Sequence, residues 1–146
     1  MSRFEDYANK YQSVRISRQD GILELAIHHE GNEAVWASAR AGIHDELGQA
    51  FYDVGRDPEN RVVIITGTGD EFLVRSDYSD PDPMSAKTWD RIYKEGKDLL
   101  NNLLDIEVPV IGAVNGPAFI HAEIPTMSDI VIASEKASFA DKAHSP

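Results

Sequence analysis

Cysteine is absent from the chain, which excludes disulfides, thiolate nucleophiles and zinc–thiolate sites. Positive charge is scarce: 14 basic against 25 acidic side chains leave a formal charge of −11. Such a balance repels phosphate backbones and anionic lipid surfaces, so neither nucleic acid nor a membrane is an expected partner. No apolar run approaches the roughly 20 residues of a membrane span. The opening MSRFEDYANKYQ lacks the apolar stretch of a secretory signal, which makes the cytoplasm the expected location. Several nucleotide and hydrolase motifs are missing as well. Gly67-Thr68-Gly69 follows a strand-like run without the third glycine and helix start of a dinucleotide fingerprint. There is no Gly-Lys-Ser or Gly-Lys-Thr phosphate loop and no Gly-x-Ser-x-Gly elbow. His44-Asp45-Glu46-Leu47 spells a retention signal, but such signals are read only at a free C-terminus.

What is present is the composition of a globular domain, with 42% hydrophobic and 27% charged residues among 146. A single domain over residues 1–146 is expected, burying roughly two-thirds of its unfolded surface. Val14 to Ile27 alternates apolar and polar residues around Asp20-Gly21, the signature of a tight hairpin. His28-His29-Glu30-Gly31-Asn32 reads as a solvated loop, since no third ligand follows at a metal-binding spacing. From Ala41, the steps Ile43, Leu47, Ala50, Phe51 and Val54 predict a helix ended by Asp57-Pro58. Arg61 to Gly67 is a buried strand, and Asp80-Pro81-Asp82-Pro83 a rigid surface loop. Trp89, Ile92, Gly96, Leu99 and Leu103, flanked by Tyr93, Leu100 and Leu104, form a wide helical stripe that is read as core.

The chain is organised around Val108 to Ser134, VPVIGAVNGPAFIHAEIPTMSDIVIAS. Val110 to Val114 suits a strand covered on both faces. Asn115-Gly116-Pro117 breaks it, and Ile130 to Ala133 is a second strand. Between them His121, with Glu123 behind it, falls near a helix start, where backbone N–H groups favour negative charge. On residues alone, His121 is either a functional group or a helix-start histidine bonded to backbone. Glu123 complements the helix N-terminus and Asp77 caps the turn after it.

RVVIITGTGDEF, Asp77, the long helix, PVIGAVNG and Ser128-Asp129-Ile130 together resemble the crotonase superfamily, whose members include enoyl-CoA hydratases and isomerases. The resemblance runs from about Val14 onward and implies an α/β fold, a spiral of ββα turns. Members of the family use two backbone N–H groups as an oxyanion hole for a thioester enolate. Here Val74-Arg75-Ser76-Asp77 stands where Ala-Gly-Ala-Asp is usual, and Ile120-His121-Ala122 replaces a glycine triplet. Ser76 and Ile120 thus fall at the substrate-binding positions, with side chains where glycine lets a ligand approach the backbone. These departures are similar to those of the β-diketone hydrolase branch typified by 6-oxocamphor hydrolase. The shared features are Trp36 in Val-Trp-x-Ser, His44-Asp45-Glu46-Leu47, His121-x-Glu123-Ile124-Pro125 and Asp141-x-x-His144.

That resemblance implies hydrolysis of a carbon–carbon bond in a cyclic β-diketone by a retro-Claisen addition of water. His144 would be the base and His121 the hydrogen-bond donor to the carbonyl, while Trp36 would line the pocket. Neither cofactor nor metal is implied, and the partner is a small-molecule diketone. The alternatives are a CoA-thioester hydratase or isomerase, and an inactive remnant or interaction subunit. The family continues past the position of Pro146 with C-terminal helices that build trimers or hexamers. The expectation is therefore a C-terminally shortened crotonase-like domain with an exposed apolar edge and impaired activity. A carboxylate to orient His144 is expected to be missing.

Overall fold

The computed structural model describes residues 1–39, 42–77, 79 and 85–144. Ala41 and Asp80-Pro81-Asp82-Pro83, expected to begin a helix and to form a loop, lie outside the described residues. After one helical turn, α1 (Phe4–Tyr7), β1 (Val14–Gln19) and β2 (Ile22–Ile27) form the expected antiparallel hairpin. Asp20 (φ 52°) and Gly21 (φ 80°) both adopt the left-handed backbone that a two-residue hairpin turn demands.

Three rungs follow. They are β2, β3 (Val35–Ala37) and α2 (Ile43–Gly55); then β4 (Val62–Thr66), β5 (Arg75–Asp77) and α3 (Ala86–Leu104); then β6 (Val110–Val114) and α4 (Glu123–Thr126), before β7 (Ile130–Ala133). The long strands form one sheet in the order β1-β2-β4-β6-β7, parallel from β2 onward, and β3 pairs with β5 in a second small parallel sheet. Parallel neighbours need crossovers, and the helices supply them. In the third rung the short strand is reduced to Ala118, which bridges Leu73 on one side and Phe139 on the other. The result is the expected α/β architecture of repeated strand, short strand and helix. At three residues each, β3 and β5 are too short to leave a periodic pattern, and the sequence gives no sign of them.

Helix α2 buries Ile43, Leu47, Ala50, Phe51 and Val54 against the sheet, as the spacing predicts. Helix α3 starts at Ser85, whose Oγ accepts the Thr88 N–H at 3.2 Å. Its stripe departs from the core expected of it. Leu99 and Leu103 are buried, but Trp89 is 55% and Tyr93 73% exposed. A 3.6-residue period reports an apolar face and says nothing of whether a neighbouring element or an open cavity lies against it. Strand β7 lies at the sheet edge with Ile130, Val131 and Ile132 exposed. Among the described residues no helix is long and apolar enough to cross a membrane.

Two close approaches set the geometry beneath the site. Asn115 ties the end of β6 to the loop after β4: its Oδ1 accepts the Gly67 N–H at 3.1 Å, and its Nδ2 donates to Gly69 and Glu71 carbonyls at 2.9 Å each. At Gly112 in β6, α4 packs so near that a Cβ would lie 2.5 Å from the Pro125 carbonyl oxygen. Gly112→Ala therefore forces α4 off the sheet. The expected loss is about 1–3 kcal/mol of stability, read from urea unfolding at unchanged m-value.

Candidate active site

The site lies where three loop segments are stitched side by side. The Phe72 N–H donates to Pro117 O (3.0 Å), and the Phe119 and Ile120 N–H groups donate to Leu73 O (2.8 and 3.1 Å). On the other flank Ala118 N–H donates to Ser138 O (2.8 Å), and Lys142 N–H to Phe119 O (2.8 Å). This lacing carries His144 over to His121, 23 positions earlier in the chain, with ring centroids 5.0 Å apart and planes near perpendicular (87°).

His121 sits at φ 50°, a left-handed backbone that few side chains adopt and histidine adopts more readily than most. The helix expected at this point begins only at Glu123 and runs four residues. It is too short to supply an N-terminal field, so the side chains carry the site. The indole of Trp36 lies against the His121 ring at 3.9 Å between centroids, tilted by 34°. Glu123 holds His121 Nδ1 at 2.5 Å. Burial pushes the Glu123 carboxyl up. The His121 hydrogen bond, the electrostatic influence of His121 and His144 and a backbone hydrogen bond together outweigh it and hold the carboxyl below its ordinary value. His144 has a carboxylate partner after all: Asp141 Oδ1 lies 3.0 Å from its Nδ1 and also accepts its N–H at 3.2 Å. With both Nδ1 atoms engaged by carboxylates, each ring has Nε2 as its second nitrogen for hydrogen-bond or proton chemistry.

Trp36, His44, His121, Glu123 and His144 share a cavity of about 700 Å³ with the apolar face of α3, namely Trp89, Ile92, Tyr93, Gly96, Leu99 and Leu100. The stripe read as core is thus largely a pocket wall. Sequence reasoning counted His44 only as part of a shared tetrapeptide and missed its place in the pocket. It is 4% exposed, edge-on to Trp36 at 5.2 Å, with Nδ1 3.1 Å from Glu95 Oε2. The signal was its place one residue into α2, on the inward side with Leu47. Two expected substrate-binding residues lie elsewhere. Ile120 is buried in the core, its N–H spent on Leu73 O, and Ser76 is exposed in β5 opposite Trp36.

His121, Glu123 and His144 each bring a potential metal donor within 4.8 Å of the others. His121 Nδ1 and Glu123 Oε1 are already bonded to each other.

Burial pushes the His44 imidazole below its ordinary value of 6.5. Glu95 opposes that shift, while His121 and Arg91 add to it. Near neutral pH His44 is neutral in the folded chain. Its folded value lies below the unfolded one, so its contribution to stability is complete above about pH 6.5 and is lost as the pH falls below that. The melting temperature is expected to drop from about pH 7.5 to about pH 5.5, and His44→Gln to drop less over the same interval.

The enoyl-CoA hydratase/isomerase family model matches residues 18–144. The carnitinyl-CoA dehydratase of Salmonella enteritidis PT4 is 31% identical over 131 residues, which are 88% of this chain and 48% of that protein. A β-diketone hydrolase from Anabaena sp. PCC 7120, solved with (S)-3-oxocyclohexyl acetic acid bound, superposes with a TM-score of 0.86 at 44% identity. That match covers 92% of this chain and 53% of the hydrolase. An enoyl-CoA hydratase from Shewanella pealeana shares the fold at a TM-score of 0.81 and 20% identity, covering 95% of this chain and 53% of its own. The chain spans about half the length of these relatives. With the fold, the laced loops and the family match in agreement, the chain belongs to the enoyl-CoA hydratase/isomerase family, the crotonase superfamily.

Proposed function

We propose that the site hydrolyses a carbon–carbon bond of a cyclic β-diketone by retro-Claisen addition of water. The observation that carries this reading is the convergence of His121 and His144, each backed by a carboxylate, on one apolar cavity beside Trp36. The 44% identity with a β-diketone hydrolase supports it. Asp141 keeps a proton on His144 Nδ1 and leaves Nε2 to take a proton from the attacking water. His121, its Nδ1 paired with Glu123, acts through Nε2–H as the hydrogen-bond donor to the carbonyl oxygen as negative charge develops there. The tetrahedral intermediate then breaks its carbon–carbon bond. The electron pair leaves as an enolate, and the proton held by His144 returns to the enolate carbon. The apolar wall of α3 suits a compact hydrocarbon ring and shields the charge from water.

A CoA-thioester reading is favoured by the 31% identity with carnitinyl-CoA dehydratase. The side chains of Ile120-His121-Ala122 speak against it, because they stand where the glycine triplet of CoA-using relatives lets a ligand approach the backbone. Calorimetric titration with an acyl-CoA separates the two readings: the diketone reading expects no binding heat, and tight binding would overturn it.

Loss of the ultraviolet absorbance of a cyclic 1,3-diketone measures turnover. His121→Ala and His144→Ala are each expected to lower kcat by about 10²–10⁴-fold. Treatment with a metal chelator is expected to leave the rate unchanged. Unaltered turnover in both histidine variants would refute the assignment.

A further inference from the structure

Beyond the His121–His144 pair, the cavity contains a third imidazole whose orientation is controlled from outside. Helix α3 places Arg91, Glu95 and Gly96 along the His44 ring. Arg91 Nη1 donates to Ser38 O at 2.8 Å and to Glu95 Oε1 and Oε2 at 3.0 Å each. Glu95 Oε2 in turn lies 3.1 Å from His44 Nδ1, with both side chains largely buried. The other ring nitrogen faces Gly96, where a Cβ would come within 3.3 Å of Nε2, and both residues line the cavity. The Trp36 indole packs edge-on against the ring at 5.2 Å between centroids.

We propose that Glu95, anchored by Arg91, is a positioning residue that holds the proton of His44 on Nδ1, so that Nε2 meets the cavity as a bare hydrogen-bond acceptor. A carboxylate accepts and cannot donate, so Nδ1 must carry the hydrogen. The low proton affinity of the buried ring agrees with a neutral imidazole. An acceptor at this point takes an O–H donor. In the diketone reading, on which this consequence rests, that donor is the attacking water or the hydroxyl of the tetrahedral adduct. Neither a thioester carbonyl nor a ketone offers one. Glu95 touches no reacting atom and acts through His44 alone.

The test is the tautomer of His44, read from long-range nitrogen–proton correlations of the histidine-labelled full chain near pH 7.5. The expected parent spectrum has Nδ1 protonated and Nε2 unprotonated. In Glu95→Gln, Arg91 turns the amide oxygen toward itself and the amide NH₂ toward His44, so the proton is expected to move to Nε2. Glu95→Asp, which keeps the carboxylate, is expected to restore the parent tautomer in full or in part, and it serves if Glu95→Gln does not fold. For turnover, Glu95→Gln is expected to lower kcat by about 10–100-fold with little change in KM, the usual cost of losing a group that orients an active-site ligand. A parent His44 protonated on Nε2, or a Glu95→Gln spectrum with the parent tautomer, overturns the proposal. The spectra require no substrate. Absence of diketone turnover in the parent therefore counts against the functional reading, while a wrong tautomer counts against this one.

Discussion

The His121 imidazole is held from three sides: the Trp36 indole lies against its face, Glu123 grips Nδ1, and the His144 ring stands edge-on beside it. Each hold comes from a different part of the chain. Trp36 rides on β3, Glu123 opens α4, and His144 arrives on the segment laced to Phe119. The left-handed backbone at His121 costs of the order of 1 kcal/mol for a residue with a Cβ. That strain persists because the surrounding hydrogen bonds over-determine it, as strained backbone at functional sites usually is. If the small β3–β5 sheet shifts, or Gly112 no longer lets α4 approach β6, the three holds lose their common focus.

Around this focus the structure separates polar from apolar work. The α3 face supplies a largely hydrocarbon wall, and the cavity's three imidazoles each have a carboxylate partner. Low polarity in the wall strengthens each of those hydrogen bonds and makes an unpaired one costly. The glycine triplet of CoA-using relatives presents backbone to its ligand. Here the same stretch presents His121, while the neighbouring Ile120 N–H is turned inward to Leu73. Family membership and the proposed chemistry are thus compatible: the rungs are shared, and in the proposal the reacting groups are side chains where CoA-using relatives present backbone.

Most of the fold was legible in the sequence because its long elements obey simple periods. The Asp20-Gly21 hairpin and the inward face of α2 follow from patterns of two and 3.6, and β6 from an unbroken apolar run. The short rungs were invisible, since three residues define no period. The α3 stripe was misread for a different reason. An apolar face that lines a cavity and one that packs against another element look identical in sequence, and only the exposure of Trp89 and Tyr93 separates them. At the site, His121, His144 and Trp36 were named in advance and lie together in the structure. His44 was hidden by its helical neighbours: Glu46, two residues on, ties down Gln12 and Ser13, and Leu47 is core, so the tetrapeptide reads as packing. Asp141 went unrecognised as the carboxylate of His144 because a downstream residue was expected in that role.

The central claim is that water, activated by a histidine, cleaves a carbon–carbon bond in this cavity. Incubation of the protein with a cyclic 1,3-diketone in water carrying a heavy oxygen isotope tests it most directly. The account predicts a ring-opened keto acid heavier than its substrate by one water, with the labelled oxygen in the new carboxylate. Recovery of the diketone unchanged, or of a ring-opened product whose carboxylate carries no label, would contradict it.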